Sequence, residues 1–298
     1  MNDMIIIGAG PAGISASLYT QRAGIDTLVI HNGPGALSKT DKIENYYGFS
    51  QPVSGADLFD NGIKQAQRLG VQFAEEEVVG LGFGTPVETD ADPGFPGALQ
   101  VVTDKNTYSA KAIIIATGSP RKAPDIEGLS DFEGAGVSYC AVCDAFFNRG
   151  KDVAVLGSGQ FALNEVKEIM PVASSVTLLT NGEEPTAGFP EEITINRKPV
   201  KRLAGSDRLE TVEFEDGSAL DVFSVFVAYG TAGSADMAKK LGIITEGNKV
   251  QVNDDMATNV PGVFAAGDCI GGMLQVAAAV HEGAKAGTAA VKYLRAQK

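Results

Sequence analysis

The chain has 298 residues, of which 44% are hydrophobic and 20% charged, as in an ordinary globular protein. Because single hydrophobic cores stop growing beyond about 250–300 residues, this length predicts two domains. The formal net charge is −13 at neutral pH. So acidic a protein argues against nucleic acid or an anionic membrane as a partner.

The apolar runs, such as residues 113–116, are too short to span a bilayer, and Met1 leads into a strand pattern without a basic, signal-like segment. Three cysteines cannot form a disulfide framework, which is typical of a reducing compartment. We therefore expect a cytoplasmic protein.

A nucleotide-binding turn is predicted at the amino terminus. The apolar run Met4–Ile7 predicts a buried parallel strand, and it ends at the glycine-rich segment of residues 8–13. A helix over residues 11–22 and a strand over residues 27–30 complete a βαβ unit, the context that this fingerprint requires. His31 follows, where many dinucleotide folds place an acid. It is either a ligand of ribose or adenine or a solvated loop histidine.

The next elements are less periodic. Residues 33–49 form a long loop, a length that is usually functional. Beyond it the pattern predicts a helix over residues 55–69, a hairpin of residues 100–103 and 107–111, a buried strand at 113–118, and a linker at 119–124.

The βαβ pattern then restarts with a strand over residues 153–156, a glycine-rich turn at 157–162, a helix over 160–170 and a strand over 176–179. A hairpin of residues 210–215 and 219–228 is predicted about Asp216-Gly217. A buried strand at 263–268 and a helix over residues 275–295 follow. The sequence therefore predicts an α/β protein with two Rossmann-like dinucleotide-binding domains, the second inserted into the first.

Between the two fingerprints stand Cys140 and Cys143, a CxxC pair followed by Asp144. A zinc site would need Cys269, His31 and His281, which lack paired ligand spacing, so we interpret the pair as a redox dithiol. Amides at the start of a helix favour a thiolate, which predicts a low thiol pKa. Asp144 is either a helix cap or a general acid. We expect Cys269 to be a small buried apolar residue, and His281 to be a satisfied or solvated helix residue.

Together, residues 8–13, Ala116-Thr117-Gly118, the CxxC-Asp motif, the second glycine-rich turn and Gly267-Asp268 resemble the low-molecular-weight thioredoxin reductases, which are flavoproteins. The resemblance implies an FAD domain of residues 1–117 and 244–298, an inserted redox domain of residues 118–243, and a homodimer. It also implies that Cys143 lies nearest the flavin, that Cys140 attacks the disulfide of thioredoxin, and that Asp144 handles the proton.

The FAD ligands that we expect combine the fingerprint residues with those that the resemblance implies. Asn45 is expected to contact the flavin, Asp268 the ribityl chain, and Gln275 to open a helix that points at the ring. The full set is Gly8, Gly10, Pro11, Ala12, Gly13, His31, Asn32, Leu37, Asn45, Ala116, Thr117, Gly118, Gly267, Asp268, Gln275 and Val276.

The second fingerprint departs from the pattern of NADPH-dependent members, which place arginines after the second strand. Here Thr180 follows the strand, and no lysine or arginine occurs between Lys167 and Arg197, whereas five glutamates do. A 2′-phosphate would be repelled there. The interpretation is a vestigial nucleotide site, and the chain resembles the ferredoxin-dependent flavin thioredoxin reductases.

Three functions remain open at this stage: a ferredoxin-dependent reductase, a reductase that uses NAD(P)H through an atypical site, and a flavin-binding redox sensor without turnover. Ferredoxins are typically acidic, so docking on this acidic chain would need a local basic patch. The candidates are Lys39 with Lys42, Arg121-Lys122, and the cluster of residues 197–202, although such clusters are often plain solvated faces.

Overall fold

A computed structural model describes residues 1–84, 98–118, 124–139, 141–230 and 233–297, without the side chains of Val142 and Cys143. The helices are α1 (Pro11–Arg22), α2 (Gly55–Arg68), α3 (Ala141–Asp144), α4 (Gln160–Ile169), α5 (Ser234–Lys240) and α6 (Val276–Ala296), with 3-10 helices at Leu37–Lys39, Ala145–Asn148 and Asp268–Ile270. The strands are β1 (Asn2–Ile7), β2 (Thr27–His31), β3 (Gln72–Glu75), β4 (Val78–Phe83), β5 (Leu99–Thr103), β6 (Thr107–Ile115), β7 (Val137–Ser138), β8 (Asp152–Leu156), β9 (Ser175–Leu179), β10 (Thr194–Asn196), β11 (Val200–Gly205), β12 (Leu209–Phe214), β13 (Ala219–Asp221), β14 (Ser224–Val227), β15 (Thr245–Glu246), β16 (Lys249–Val250) and β17 (Val263–Ala265).

The chain divides into two compact units. The first unit comprises Met1–Pro120 and Gly233–Lys298, and the second comprises Arg121–Ala232. The chain returns to the first unit at Gly233 and not at residue 244, because α5 packs against β4 and β16. The linker expected at residues 119–124 lies largely outside the described residues.

The first unit contains, among the described residues, a seven-stranded sheet in the order β3-β2-β1-β6-β5-β4, with β17 also paired to β6. β1 pairs in parallel with β2 on one side and with β6 on the other. The sequence predicted a hairpin strand at residues 107–111 and a separate strand at 113–118, and this division is wrong. β6 is one continuous strand, antiparallel to β5 at its start and parallel to β1 and β17 at its end.

The packing of α1 against α6 fixes the start of α1. Two glycines of α6 permit a close approach, since a Cβ on Gly283 would lie 2.1 Å from the carbonyl oxygen of Ala12, and one on Gly287 would lie 2.7 Å from that of Ala16. Ala12 and Ala16 are buried in the core of this unit. Small residues on both helices therefore hold the turn before α1 in place.

The second unit has a parallel sheet in the order β10-β9-β8-β14-β7 and a smaller antiparallel sheet of β11, β12 and β13. The prediction of one strand over residues 219–228 is therefore wrong, because two strands, β13 and β14, lie in this range. β13 pairs with β12 as the hairpin pattern suggests, whereas β14 joins β8 in the parallel sheet.

No helix among the described residues is both long and apolar enough to cross a membrane.

Candidate active site

The carboxyl ends of four parallel strands of the first unit gather the predicted cofactor residues at one edge of the sheet. β1 ends before Gly8, β2 ends at His31, β6 ends before Ala116, and β17 ends two residues before Gly267. Strand order reverses at β1, and such a switch point is where open α/β sheets bind their ligands.

The first glycine-rich turn is tightly packed at two glycines and open at the third. Gly8 has φ +105°, and a Cβ there would lie 2.3 Å from the carbonyl oxygen of Ala116. A Cβ on Gly13 would lie 1.9 Å from the carbonyl oxygen of Gly8, whereas a Cβ on Gly10 would meet nothing within 4 Å. The backbone at Gly10 is thus accessible next to the start of α1, where Ala12 and Gly13 carry backbone N–H groups and Pro11 has none, as a dinucleotide phosphate requires.

Two unpaired polar atoms mark the same edge. The Thr117 hydroxyl and Nδ1 of His31 are buried without a hydrogen-bond partner among the described residues. His31 lies between Phe59 and Phe73 in edge-to-face contacts, and burial lowers the pKa of its imidazole despite the opposing charge of Glu75. Orphaned buried polar atoms need a partner, so these residues fit a bound group that carries hydroxyls or phosphates.

Two acidic residues, Asp268 after β17 and Glu282 on α6, lie at the turn that follows β17. Gly267, with φ +82°, leads into the 3-10 helix that starts at Asp268, and its N–H donates to Oε2 of Glu282 at 2.9 Å. Burial raises the pKa of the Glu282 carboxyl, with a further contribution from the charge of Asp268. The role of Glu282 in holding this turn was missed by sequence reasoning. Its place on the buried side of α6, next to Gly283, was the available signal.

Residues from the long loop meet the start of α6. Asn45 donates through Nδ2 to Oε1 of Gln275 at 2.7 Å, and Gln275 precedes Val276, the first residue of α6. The structure therefore brings these predicted site residues together. Asn32 instead donates through Nδ2 to Oε2 of Glu77 at 3.5 Å. Leu37 begins a 3-10 helix, and the carbonyl oxygen of Leu37 faces Gly55.

The part of the CxxC motif that the structure describes, from Ala141 onward, lies on α3. Cys140 and the side chain of Cys143 are outside the described residues, so the predicted pairing stays a prediction. Oδ2 of Asp144 accepts a hydrogen bond from the Ser138 hydroxyl at 2.6 Å, and the Asp144 carbonyl oxygen accepts one from Asn148 at 2.8 Å. Asp144 is therefore held at the end of the helix that carries Cys143.

Glu165 of α4 approaches the other end of α3. Its Oε2 accepts the N–H of Ala141 at 2.7 Å, and the residue is 1% exposed. Sequence reasoning missed this contact. The signal was an acid on the same face of α4 as the buried residues Phe161, Ala162 and Ile169.

The second glycine-rich turn repeats the build of the first. A Cβ on Gly157 would lie 2.2 Å from the carbonyl oxygen of Ala228, the counterpart of the approach of Gly8 to Ala116. The turns differ at the second glycine. A Cβ on Gly159 would lie 3.5 Å from the Thr186 hydroxyl, where the first turn is open.

A segment of residues 182–187, named the strap below, lies against this second turn. The Thr186 N–H donates to the carbonyl oxygen of Ser158 at 2.8 Å. The Glu183 carboxylate accepts hydrogen bonds from the Ser158 hydroxyl at 2.6 Å and the Tyr229 hydroxyl at 2.5 Å. These bonds lower the pKa of Glu183, and the carboxylate raises the pKa of Tyr229. Sequence reasoning had not anticipated the strap.

The predicted basic patches differ in their pairing. In the cluster at 197–202, Arg197 pairs with Glu184, Lys198 with Asp216, and Arg202 with Glu213. Arg121 and Lys122 lie outside the described residues. Lys39 and Lys42 are exposed and form no ion pair with the described residues.

The remaining cysteine and histidine lie in different surroundings. Cys269 is fully buried, as predicted, and burial raises the pKa of its thiol to about 12. His281 is exposed on α6. Within the described ranges, no cluster of three or more potential metal ligands occurs.

Comparison with known proteins places this architecture in a family. Residues 2–283 match the pyridine nucleotide-disulphide oxidoreductase family. The thioredoxin reductase of Aquifex aeolicus is 36% identical over 99% of this chain and 94% of its own length. The crystal structure of the atypical thioredoxin reductase TRi from Desulfovibrio vulgaris Hildenborough has a TM-score of 0.90 and 39% identity, and covers 100% of this chain and 99% of its own. That of a ferredoxin-flavin thioredoxin reductase from Clostridium acetobutylicum has a TM-score of 0.71 and 28% identity, over 99% and 98%.

The chain therefore belongs to the pyridine nucleotide-disulphide oxidoreductases and, within them, to the thioredoxin reductase family. The predicted fold class, two Rossmann-like domains, is confirmed. The protein is a flavoprotein oxidoreductase, and FAD is its cofactor.

Proposed function

We propose that this protein reduces the disulfide of thioredoxin through Cys140 and Cys143, with electrons that reach its FAD from reduced ferredoxin and not from NADPH. The observation that carries the choice of donor is the strap, because Thr186 lies over Gly159 and a carboxylate fills the space beside Ser158. The first unit is the proposed FAD domain, and the second unit is the proposed redox domain.

The open turn and the unpaired atoms of the first unit would hold FAD. The phosphates fit the accessible backbone of Gly10 and the start of α1 at Pro11, Ala12 and Gly13. Thr117 and His31 supply unpaired atoms for hydroxyl or ring contacts. We assign the same role to the other expected ligands, which are Gly8, Asn32, Leu37, Asn45, Ala116, Gly118, Gly267, Asp268, Gln275 and Val276. FAD, when bound, can store two electrons and can receive them one at a time.

The CxxC pair carries the disulfide chemistry. Two electrons and two protons convert the Cys140–Cys143 disulfide into two thiols. The Cys140 thiolate then attacks one sulfur of the thioredoxin disulfide, which breaks that bond and forms a mixed disulfide. Cys143 attacks Cys140, which restores the internal disulfide and releases thioredoxin with two thiols. Asp144, oriented by Ser138, delivers a proton to the departing thiolate.

NADPH fits the second unit poorly for reasons of space and of charge. The strap is close to the backbone that a pyrophosphate would approach, and Glu183 would lie beside the 2′-phosphate. Arg197, the first basic residue after the second strand, pairs with Glu184. A donor that needs no nucleotide site removes both conflicts. A relative with 28% identity is described as a ferredoxin-flavin thioredoxin reductase, which supports this proposal.

NADH is the second candidate, and Glu183 is the observation that favours it. A carboxylate near the second position of a glycine-rich turn can accept a hydrogen bond from a ribose 2′-hydroxyl. This candidate requires the strap to move away from Gly159. An anaerobic titration with NADH separates the two candidates, because sub-millimolar NADH should bleach the flavin absorbance if NADH is the donor and leave it unchanged if ferredoxin is the donor.

An anaerobic stopped-flow comparison of donors tests the proposal. Reduced ferredoxin should bleach the flavin absorbance and support thioredoxin reduction, whereas sub-millimolar NADPH should do neither. Cys140→Ser should keep the flavin and abolish thioredoxin reduction, with Cys269→Ser as the matched control because Cys269 is buried. Rapid bleaching by NADPH would refute the choice of donor, and turnover by Cys140→Ser would refute the assigned nucleophile.

Lys39 and Lys42 are the proposed ferredoxin contacts, since they are the exposed pair among the predicted basic patches that form no described ion pair. Reversing both charges should lower the rate at which reduced ferredoxin reduces the flavin. Because salt screens surface charges, the difference in this rate between wild type and the variant should become smaller as the salt concentration rises. We also propose, from the resemblance, a cytoplasmic homodimer. Light scattering coupled to size-exclusion chromatography tests the assembly.

A further inference from the structure

Glu282 lies where three segments meet at the cofactor edge of the first unit. It belongs to α6, and its Oε2 accepts the N–H of Gly267 at 2.9 Å in the turn that follows β17. Gly267 packs on the start of α1, since a Cβ there would lie 2.9 Å from the Cβ of Ala12. Gly283, the next residue of α6, also approaches Ala12, because its Cβ would lie 2.1 Å from the Ala12 carbonyl oxygen. Glu282 is therefore held beside the first turn of α1.

This place is unfavourable for a carboxylate once a cofactor phosphate is bound. The backbone N–H groups of Ala12 and Gly13 at the start of α1 are where the FAD phosphates fit. Asp268, the expected ribityl contact, directly follows Gly267. A bound phosphate brings further negative charge to the two carboxyl groups and displaces water from them. Both effects disfavour an ionised carboxyl group, so one added proton would relieve the conflict.

The carboxyl group of Glu282 is suited to take that proton. Burial raises its pKa, and the charge of Asp268 raises it further. The Gly267 N–H and the neighbouring His281 and Lys285 act in the opposite direction without cancelling the rise. Because Oε2 is bonded to the Gly267 N–H, Oε1 can be protonated without breaking that bond. The neutral acid can therefore hold the turn as the carboxylate does.

We propose that Glu282 is a positioning residue for FAD, which holds the Gly267 turn and takes up a proton at Oε1 when FAD binds. The inference rests on the placement of FAD in the first unit under the proposed function, and it does not depend on the electron donor. An O–H bond forms on Oε1, the proton comes from water or buffer, and no electrons move. Protonation and FAD binding then favour each other. The gain in affinity is fully present below the pKa of the FAD-free protein and is lost as the pH rises through the higher pKa of the complex.

The other ionisable groups around Glu282 can be separated from it. They are Asp268 and Cys269 in the turn after β17, and His281 and Lys285 on α6. The Cys269 thiol stays protonated at neutral pH, because burial raises its pKa to about 12. The first two turns of α1, residues 11–18, contain no ionisable side chain. His281 is exposed, so His281→Gln is the control for the imidazole next to Glu282.

The test measures the release of FAD from the full-length holoenzyme. Each protein is diluted at about pH 8 and at about pH 5.5, and the released FAD is measured by its fluorescence. Wild type should bind FAD about tenfold more weakly at the higher pH, the size of effect expected from one neighbouring like charge. Glu282→Gln keeps an acceptor for the Gly267 N–H and lacks the charge, as the protonated acid does. It should bind FAD about tenfold more tightly than wild type at about pH 8. His31 is present in both proteins, so its contribution cancels in this comparison.

Asp26→Asn and His281→Gln are the matched controls, and both should keep the wild-type difference between the two pH values. Asp26 is exposed and directly precedes β2, at the edge of the sheet opposite the cofactor residues, so Asp26→Asn removes one charge far from the site. A second readout is the infrared spectrum of the holoenzyme at neutral pH. The C=O stretch of a protonated carboxylic acid should be present in wild type and absent in Glu282→Gln.

Equal FAD affinities of wild type and Glu282→Gln at about pH 8 would overturn the inference and leave the proposed function intact. Weaker binding by Glu282→Gln at both pH values would also overturn it, because the residue would then act only through its structure. Should Glu282→Gln fail to fold, the wild-type infrared band decides, since it must disappear when FAD is removed. If Gly10→Ala leaves FAD affinity unchanged, the placement of FAD in the first unit is wrong, and the inference falls with it.

Discussion

The strap should open more readily when Glu183 loses its charge. Glu183→Gln keeps the shape of the side chain but replaces the carboxylate that accepts from Ser158 and Tyr229. Hydrogen bonds to charged groups contribute about 1.5–3 kcal/mol each when buried. Glu183 is exposed, so we take about 1.5 kcal/mol for the pair of bonds together.

Amide hydrogen exchange at Thr186 measures this opening, because its N–H is bonded to the carbonyl oxygen of Ser158 at 2.8 Å. A loss of about 1.5 kcal/mol predicts exchange about tenfold faster in Glu183→Gln at neutral pH. Glu184→Gln is the matched control, since the Glu184 side chain is 83% exposed and contacts only Arg197 among the described ion pairs.

The difference in exchange rate between wild type and Glu183→Gln should become smaller as the pH falls. Hydrogen bonds from Ser158 and Tyr229 hold the pKa of Glu183 below its ordinary value of 4.5. The contribution of the Glu183 carboxylate to the stability of the closed strap is therefore fully present above pH 4.5, and it is lost as the pH falls through the lowered pKa. After correction for intrinsic rates, wild type and Glu183→Gln should converge in acid. A difference that grows as the pH falls below 4.5 would refute the argument, and so would equal exchange rates at pH 7.

Three further predictions concern the first unit. Thr117→Val should stabilise the FAD-free protein slightly, because it removes an unpaired buried hydroxyl, and should weaken FAD binding by a factor of about 3–10 in a fluorescence titration. Gly8→Ala should prevent stable folding, since its Cβ would lie 2.3 Å from the carbonyl oxygen of Ala116, whereas Gly10→Ala should fold normally and bind FAD more weakly; circular dichroism and flavin titration separate the two. Burial lowers the pKa of His31, so the unfolded chain binds this proton more tightly and stability should fall as the pH drops below 6.5. His31→Asn should reduce that slope in urea unfolding, and an unchanged slope would contradict the burial of the ring.

The sequence predicted the elements that local pattern determines. The continuous apolar run of β1, the glycine turn and helix α1 follow from period and turn chemistry alone, and α1 spans residues 11–22 as predicted. The carboxyl-end location of Gly8 and Gly267 follows from the parallel connections of a βαβ chain.

Long-range pairing accounts for the predictions that were wrong. β6 changes from an antiparallel to a parallel neighbour along one strand, and nothing in its own residues marks that change. β13 and β14 are separated by two residues yet join different sheets. The strap has no hydrophobic period that would predict a helix or a strand. Its contact between Glu183 and Ser158 joins residues 25 positions apart, so only the folded chain reveals this contact.

The two glycine-rich turns share a backbone geometry and differ in the space over the second glycine. Gly8 and Gly157 each press against the carbonyl oxygen after a neighbouring strand, at 2.3 and 2.2 Å from the Cβ that they lack, so the strand-to-helix geometry is the same. That geometry depends on the sheet and is needed for folding whether or not a nucleotide binds. Binding depends instead on the space over Gly10 or Gly159, which the fold does not require to be empty. A segment without secondary structure can therefore cover the second turn without disturbing the sheet, and a fingerprint read from sequence alone reports the fold more reliably than the ligand.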